Sequence, residues 1–311
     1  MLKHRLLMSA LLIPGTIGLF VWDHHLGQRA PVLLVLVLLV SIRCVWELVA
    51  LVRTIGLQPD FPLCWISSWM LIAIAWLPAI QIPESPFRSI DSDLGGRFVL
   101  LGFVFVLFAI NAIRRFSRTS AAGTQVSEQA NQPGTHTKTL GVELLIVTYV
   151  GVLLAITVQL RWTANVEGSK TGYLALAALV VATKMGDVGA YTFGRLIGGP
   201  KMTPKLSPGK TWSGGVGHLV TAGLSSVAWL CWLGPMISWS WGAWDLGPAI
   251  CFGVVVGLAG LFGDLVESLI KRDIGVKDAP ALLPGFGGLL DLMDSLLLAG
   301  PVAYGMWHLL R

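Results

Sequence analysis

Residues 31–52 read PVLLVLVLLVSIRCVWELVALV. The run is long enough to cross a hydrocarbon core about 30 Å thick, and its only charges are Arg43 and Glu47. These two are spaced i,i+4, so on a helix they share a face and can pair. Charges at membrane depth are costly and are usually paired or functional. A structural ion pair and a functional role are therefore the two readings of Arg43 and Glu47. Similar apolar blocks recur along the chain. The expected spans are 6–22, 31–52, 63–82, 97–113, 139–158, 172–194, 214–234, 246–268 and 288–310, with ends set to about 2–4 residues.

Composition points the same way. Of 311 residues, 54% are hydrophobic and 13% charged, and the mean hydropathy is +0.73. A soluble domain carries about 25% charged residues, so this chain cannot clothe a soluble body of its size. A disordered chain, a disulfide scaffold and a β-barrel are excluded with it. The expected fold is all-α: a polytopic integral membrane helical bundle with about nine transmembrane helices. The net charge of +5 and the pI near 9.2 fit loops facing anionic headgroups or an anionic substrate, and no nucleic-acid partner is expected. Cys44, Cys64, Cys231 and Cys251 form no C-x-x-C pair and read as small packed residues.

The positive-inside rule sets an orientation. With the N-terminus cytoplasmic, 14 of the 22 Lys and Arg fall on inside segments and 6 on the outside, counting Arg97 at the outer edge of the fourth span, with Arg43 and Lys184 within spans. The opening Lys3, His4 and Arg5 precede an apolar run broken by Pro14-Gly15. No A-x-A-like cleavage site follows, so the segment reads as a retained first helix. Residues 114–138, rich in Ser, Thr, Gln, Gly and Asn, read as a cytoplasmic linker loop. It divides an N-terminal region, 1–138, from a C-terminal region, 139–311, that carries the chemistry. Solenoid repeats are not visible, nor are the paired interrupted helices of an inverted-repeat transporter.

Polar residues gather at the cytoplasmic ends of the sixth, eighth and ninth spans. Lys184, Asp187 and Tyr191 line one helix face, as do Asp264, Glu267 and Lys271, while Asp291 and Asp294 stand one turn apart. Carboxylates at similar depth on three helices repel unless a cation sits among them. Oxygen-only ligation suits a hard ion such as Mg²⁺. The alternative is that these acids pair with Lys184, Lys271 and Arg272. Between the helices lie Arg195, Lys201, Lys205 and the run Ser207-Pro208-Gly209-Lys210-Thr211. It is not a Walker A motif, because Pro204 stands where that motif needs glycine and no strand is expected before it. A turn with free N–H groups, a lysine and a hydroxyl at a helix start binds phosphate by the same logic. A basic loop resting on anionic lipid is the other reading.

Taken together, Gly186–Gly215 and Gly263–Ser295 resemble the phosphatidate cytidylyltransferase (CDP-diglyceride synthase) family of bacterial membrane enzymes. The family's S-x-x-K-R-x-x-x-x-K-D, P-G-H-G-G and D-R-x-D elements appear as Ser268, Lys271, Arg272, Lys277 and Asp278, then Pro284-Gly285-Phe286-Gly287-Gly288, then Asp291-Leu292-Met293-Asp294. Its S-P-x-K-T element is Ser207, Pro208, Lys210 and Thr211. The first five spans match only loosely. The resemblance implies transfer of a cytidylyl group from CTP to phosphatidic acid, giving CDP-diacylglycerol and pyrophosphate, with Mg²⁺ as cofactor. It implies Asp264 and Asp291 as leading metal ligands, with Asp294 and Asp187 next. Catalytic roles fall on Asp264, Asp291, Lys271 and Arg272. Substrate contacts fall on Ser207, Lys210, Thr211, Lys277, Asp278, Arg195 and Lys205. A bacterial inner-membrane location, a cytoplasmic active site and a homodimer are implied with them.

Two positions depart from the family pattern: its histidine is Phe286 here, and its arginine is Leu292. Leu292 cannot imitate a planar guanidinium. His218, inside the seventh span, and His308, at the far end of the ninth, are poorly placed to substitute. The departures keep open an altered paralogue, a related enzyme acting on another lipid acceptor, and a CTP-binding protein without turnover. An ion-coupled transporter is disfavoured, because the acids sit at helix ends beside phosphate-type loops.

Overall fold

A chain in hydrocarbon must satisfy its own backbone groups, so long apolar runs become long helices. The computed structural model bears this out. It describes residues 2–27, 29–76, 106–111, 113–114, 134–163, 171–237, 243–277 and 287–310. The helices are α1 (Leu2–His25), α2 (Pro31–Arg53), α3 (Phe61–Trp76), α4 (Thr135–Trp162), α5 (Thr171–Leu196), α6 (Trp212–Ile237), α7 (Leu246–Asp273) and α8 (Leu289–Leu310). Among the described residues six are long and apolar enough to cross a membrane, α2 and α4 through α8, and α3 is a shorter apolar helix. The protein is thus a polytopic helical membrane protein. Residues 77–82 of the expected third span, most of the fourth span and most of 114–138 lie outside the described residues, as do Asp278 and Phe286.

Local sequence explains where helices begin. Pro31 opens α2, where its missing N–H is harmless. The next two amides, of Val32 and Leu33, donate to the Asp23 carboxylate at 2.7 and 3.3 Å. Asp60 accepts from Leu63 N at the start of α3. Thr211 caps α6 by accepting from Gly214 N at 3.1 Å, which satisfies a donor the helix itself cannot.

Two compact units form, Leu34–Ala155 and Met1–Leu33 with Ile156–Arg311. In the first, Arg43 Nε donates to Glu47 Oε1 at 2.7 Å within α2, the pairing that the spacing allows. The same guanidinium lies 4.3 Å over the Trp46 ring. Glu143 Oε1 accepts from Asp60 N at 2.7 Å. In the second unit α5, α6, α7 and α8 run up and down. Trp244, Phe252 and Trp307 cluster at one end, with ring centroids 5.0–6.0 Å apart. The end of α5, the start of α6, the end of α7 and the start of α8 meet at the other.

At that second end the structure adds a hairpin to the helical expectation. After α5, Gly198 and Gly199 take φ of +66° and +111°, which reverse the chain in a region that side chains resist. β1 (Lys201–Thr203) then pairs antiparallel with β2 (Ser207–Thr211), with Lys201 opposite Thr211 and Thr203 opposite Ser207. The Ser-Pro-Gly-Lys-Thr run, expected as a loop, is therefore a strand. Pro208 is tolerated because both strands of a two-stranded ribbon are edges.

Candidate active site

The acids at this end are held by glycine-permitted helix contacts. A Cβ on Gly263 would lie 2.5 Å from the Asp294 carbonyl oxygen and 3.1 Å from Ser295 Cα, so α7 and α8 touch backbone to backbone there. Small residues allow this approach between membrane helices. It sets Asp264, the next residue of α7, beside Asp294 of α8. One oxygen each from Asp264, Glu267 and Asp294 lie within 4.8 Å of one another. Glu267 and Asp294 are buried and Asp264 is half-buried. Glu267 Oε1 is buried without a hydrogen-bond partner. Three converging carboxylates with an unspent buried oxygen fit a hard, oxygen-liganded cation.

Lysines balance this charge. Lys271, one turn beyond Glu267 on α7, reaches Glu267 Oε2 at 2.8 Å and Asp291 Oδ1 at 2.6 Å. Lys210, from β2, stands 2.7 Å from Asp264 Oδ2. Lys184 on α5 donates to Ser295 Oγ at 2.8 Å and lies 3.5 Å from Asp187 Oδ2. The acids thus lie against one another and against lysines at once, since Asp264 also faces Lys210 and Glu267 also faces Lys271. Asp264 and Asp294 group with Glu267. Asp291 instead pairs with Lys271 and accepts from Gly288 N at 2.8 Å. Asp187 lies with Lys184 and 3.7 Å from His218 Nδ1.

The remaining residues singled out in the sequence surround this group. Thr211 spends its hydroxyl on the α6 cap, while Ser207 begins β2 and is half-buried. Arg272 Nε donates to Leu206 O at 3.4 Å, tying the end of α7 to the hairpin turn. Arg195 is exposed and donates to Tyr191 Oη at 2.7 Å. Lys205 and Lys277 are exposed, and Leu292 is half-buried in the first turn of α8.

Sequence reasoning passed over two groups. Glu267 shares the Asp264 face, a visible signal, but was not counted among the ligands. His218 lies within a span, yet its fully buried ring fits against Gly186 and Gly257 beside Asp187, with Nε2 2.9 Å from Gly257 O. His308 meets Tyr304 edge to face near the opposite end.

These features define a polytopic membrane protein in which acids and half-buried lysines converge at one end of the helices, beside a basic hairpin. The chain belongs to the cytidylyltransferase family, whose model matches residues 3–310. It is 39% identical over 142 residues to the uncharacterized protein YnbB of Escherichia coli (strain K12), covering 46% of this chain and 44% of that one. It is 30% identical over 227 residues to a phosphatidate cytidylyltransferase of Mycobacterium leprae (strain TN), covering 72% and 66%. A phosphatidate cytidylyltransferase of Brucella melitensis biotype 1 is 37% identical over 136 residues, covering 43% and 46%. The chain spans about half to two thirds of the length of these curated relatives.

Proposed function

We propose that the protein transfers a cytidylyl group from CTP to phosphatidic acid, releasing pyrophosphate and forming CDP-diacylglycerol. The observation that carries this reading is the Asp264–Glu267–Asp294 group flanked by the Lys210 and Lys271 ammonium groups, in a chain of this family. An oxygen of the lipid phosphomonoester attacks the α-phosphorus of CTP. The bond from that phosphorus to the oxygen bridging the α- and β-phosphates breaks, and pyrophosphate leaves with the electron pair. A divalent ion, with Mg²⁺ the leading candidate, would offset charge building on the phosphates when held by Asp264, Glu267 and Asp294. Lys210 would donate to phosphate oxygens. Lys271, fixed between Glu267 and Asp291, keeps the acid group ordered. Arg272 holds the hairpin turn over the site, so most of the rate enhancement comes from positioning and preorganised charge.

The reading includes a cytoplasmic N-terminus and a site on the cytoplasmic side of a bacterial inner membrane, where CTP and inner-leaflet phosphatidic acid both arrive. It also includes the homodimer implied by the family resemblance, to be read from the mass of the protein in detergent. Purified protein in mixed micelles with labelled CTP, phosphatidic acid and Mg²⁺ should yield CDP-diacylglycerol, and EDTA should abolish it. No product from a folded protein would refute the reaction. Leu292 and Phe286, which replace a guanidinium and an imidazole of the family pattern, favour a second reading in which the acceptor is another lipid phosphate. Product with such an acceptor, and none with phosphatidic acid, would establish it.

A further inference from the structure

Two buried groups that bear on the same acid site are each left short of a partner. Lys210 Nζ is ion-paired with Asp264 Oδ2 at 2.7 Å and has no other partner for its remaining donors. The Glu267 side chain is 2% exposed, and its Oε1 is equally without a partner. Unspent donors on a buried ammonium call for an anionic oxygen, and an unspent oxygen among three carboxylates calls for a cation. Lys271 differs, because its donors are committed to Glu267 and Asp291 at 2.8 and 2.6 Å.

Any cation entering the group needs Asp264, and Asp264 already carries the Lys210 charge. A divalent ion and an ammonium repel each other across one carboxylate. The repulsion ends when phosphate oxygens draw the lysine away, which also satisfies its unspent donors. Lys210 can make that move because its ammonium ends a flexible four-carbon stem, so the side chain can swing without the backbone shifting.

We propose that Lys210 is the built-in counter-cation of the Asp264–Glu267–Asp294 site: it holds Asp264 until phosphate takes its ammonium, so divalent cation and nucleotide phosphates enter together and each binds weakly alone. The inference rests on the reading of the site given under Proposed function. It makes an unusual demand of one variant. Removing the charge should tighten the cation and weaken the nucleotide, whereas a lysine that only grips phosphate would leave the cation unchanged.

The test is a Mn²⁺ titration followed by electron paramagnetic resonance on the full-length protein in detergent, without nucleotide. Lys210→Met should bind Mn²⁺ about tenfold more tightly than the parent, a change of about 1.4 kcal/mol. Its affinity for CTP with Mg²⁺ present should fall by a similar factor, and Lys210→Arg should keep the parent's weak Mn²⁺ affinity. Unchanged or weaker Mn²⁺ binding in a Lys210→Met protein with the parent's melting temperature overturns the proposal. Should that variant not fold, Lys210→Gln decides in the same nucleotide-free titration: tighter Mn²⁺ binding than the parent's supports the proposal, and an unchanged affinity overturns it. If the parent makes no CDP-diacylglycerol, the reaction reading fails. The nucleotide-free Mn²⁺ comparison still decides this inference.

Discussion

Gly263→Ala tests whether the backbone contact between α7 and α8 builds the acid site. The added Cβ would stand 2.5 Å from the Asp294 carbonyl oxygen and 3.1 Å from Ser295 Cα. A carbon and a carbonyl oxygen rest at about 3.3 Å or more. The helices must therefore part by about 0.8 Å at this point, because both atoms are backbone and cannot swing aside. Overpacking of this kind costs about 1–3 kcal/mol. The displacement falls between Asp264 and Asp294, so the acid group opens. A misplacement near 1 Å can cost about a hundredfold in rate, and we expect a loss of about ten- to a hundredfold in cytidylyl transfer with a lowered melting temperature. Gly305→Ala on α8 is the control, since nothing lies within 4 Å of its Cβ position, and it should be neutral. Transfer assays and thermal melts in the same detergent measure both variants. Parental rate and melting temperature in Gly263→Ala would refute the claim that this contact sets the site.

Glu267→Gln keeps the side chain's size and removes a charge from the acid group, so the Mg²⁺ concentration for half-maximal turnover should rise about tenfold or more; an unchanged Mg²⁺ dependence removes Glu267 from the ligand set. Asp291→Asn should abolish turnover in a folded, membrane-inserted protein, because it leaves Lys271 with one of its two carboxylate partners; near-normal activity would argue against any catalytic part for Asp291. Thr211→Ala removes the α6 cap and should destabilise the protein by about 1 kcal/mol, with Thr211→Ser restoring most of it, as read by thermal melts; equal losses in both would show that the hydroxyl is not what matters. Leu292→Arg and Phe286→His should not lower activity if those positions merely lack the family's donors, and a large loss in the transfer assay would mean the site has been rebuilt around the apolar side chains.

The limits of sequence reasoning show in individual residues. Lys271 lies one turn from Glu267 and two turns from Asp264 on the same helix, so their shared face is legible from spacing alone. Its bond to Asp291 is not, because that residue is twenty positions away on another helix. Glu267 looked like one acid among several until burial and an unspent oxygen set it apart. His218 lies within a span, a position that by spacing alone suggests distance from the site. The end of α5 and the start of α6 in fact bring it beside Asp187.

By itself the sequence determined that the chain lies in a membrane as apolar helices, and that acids and lysines collect near the ends of three of them. Hydrophobic length and charge spacing are local properties, imposed by hydrocarbon thickness and the helical repeat. Which carboxylates face one another was decided only in three dimensions. That choice depends on how closely α7 and α8 approach at Gly263, and on where the Gly198–Gly199 reversal sends Lys210. Helix separation and hairpin register arise from contacts between distant segments, and no single window of sequence contains them.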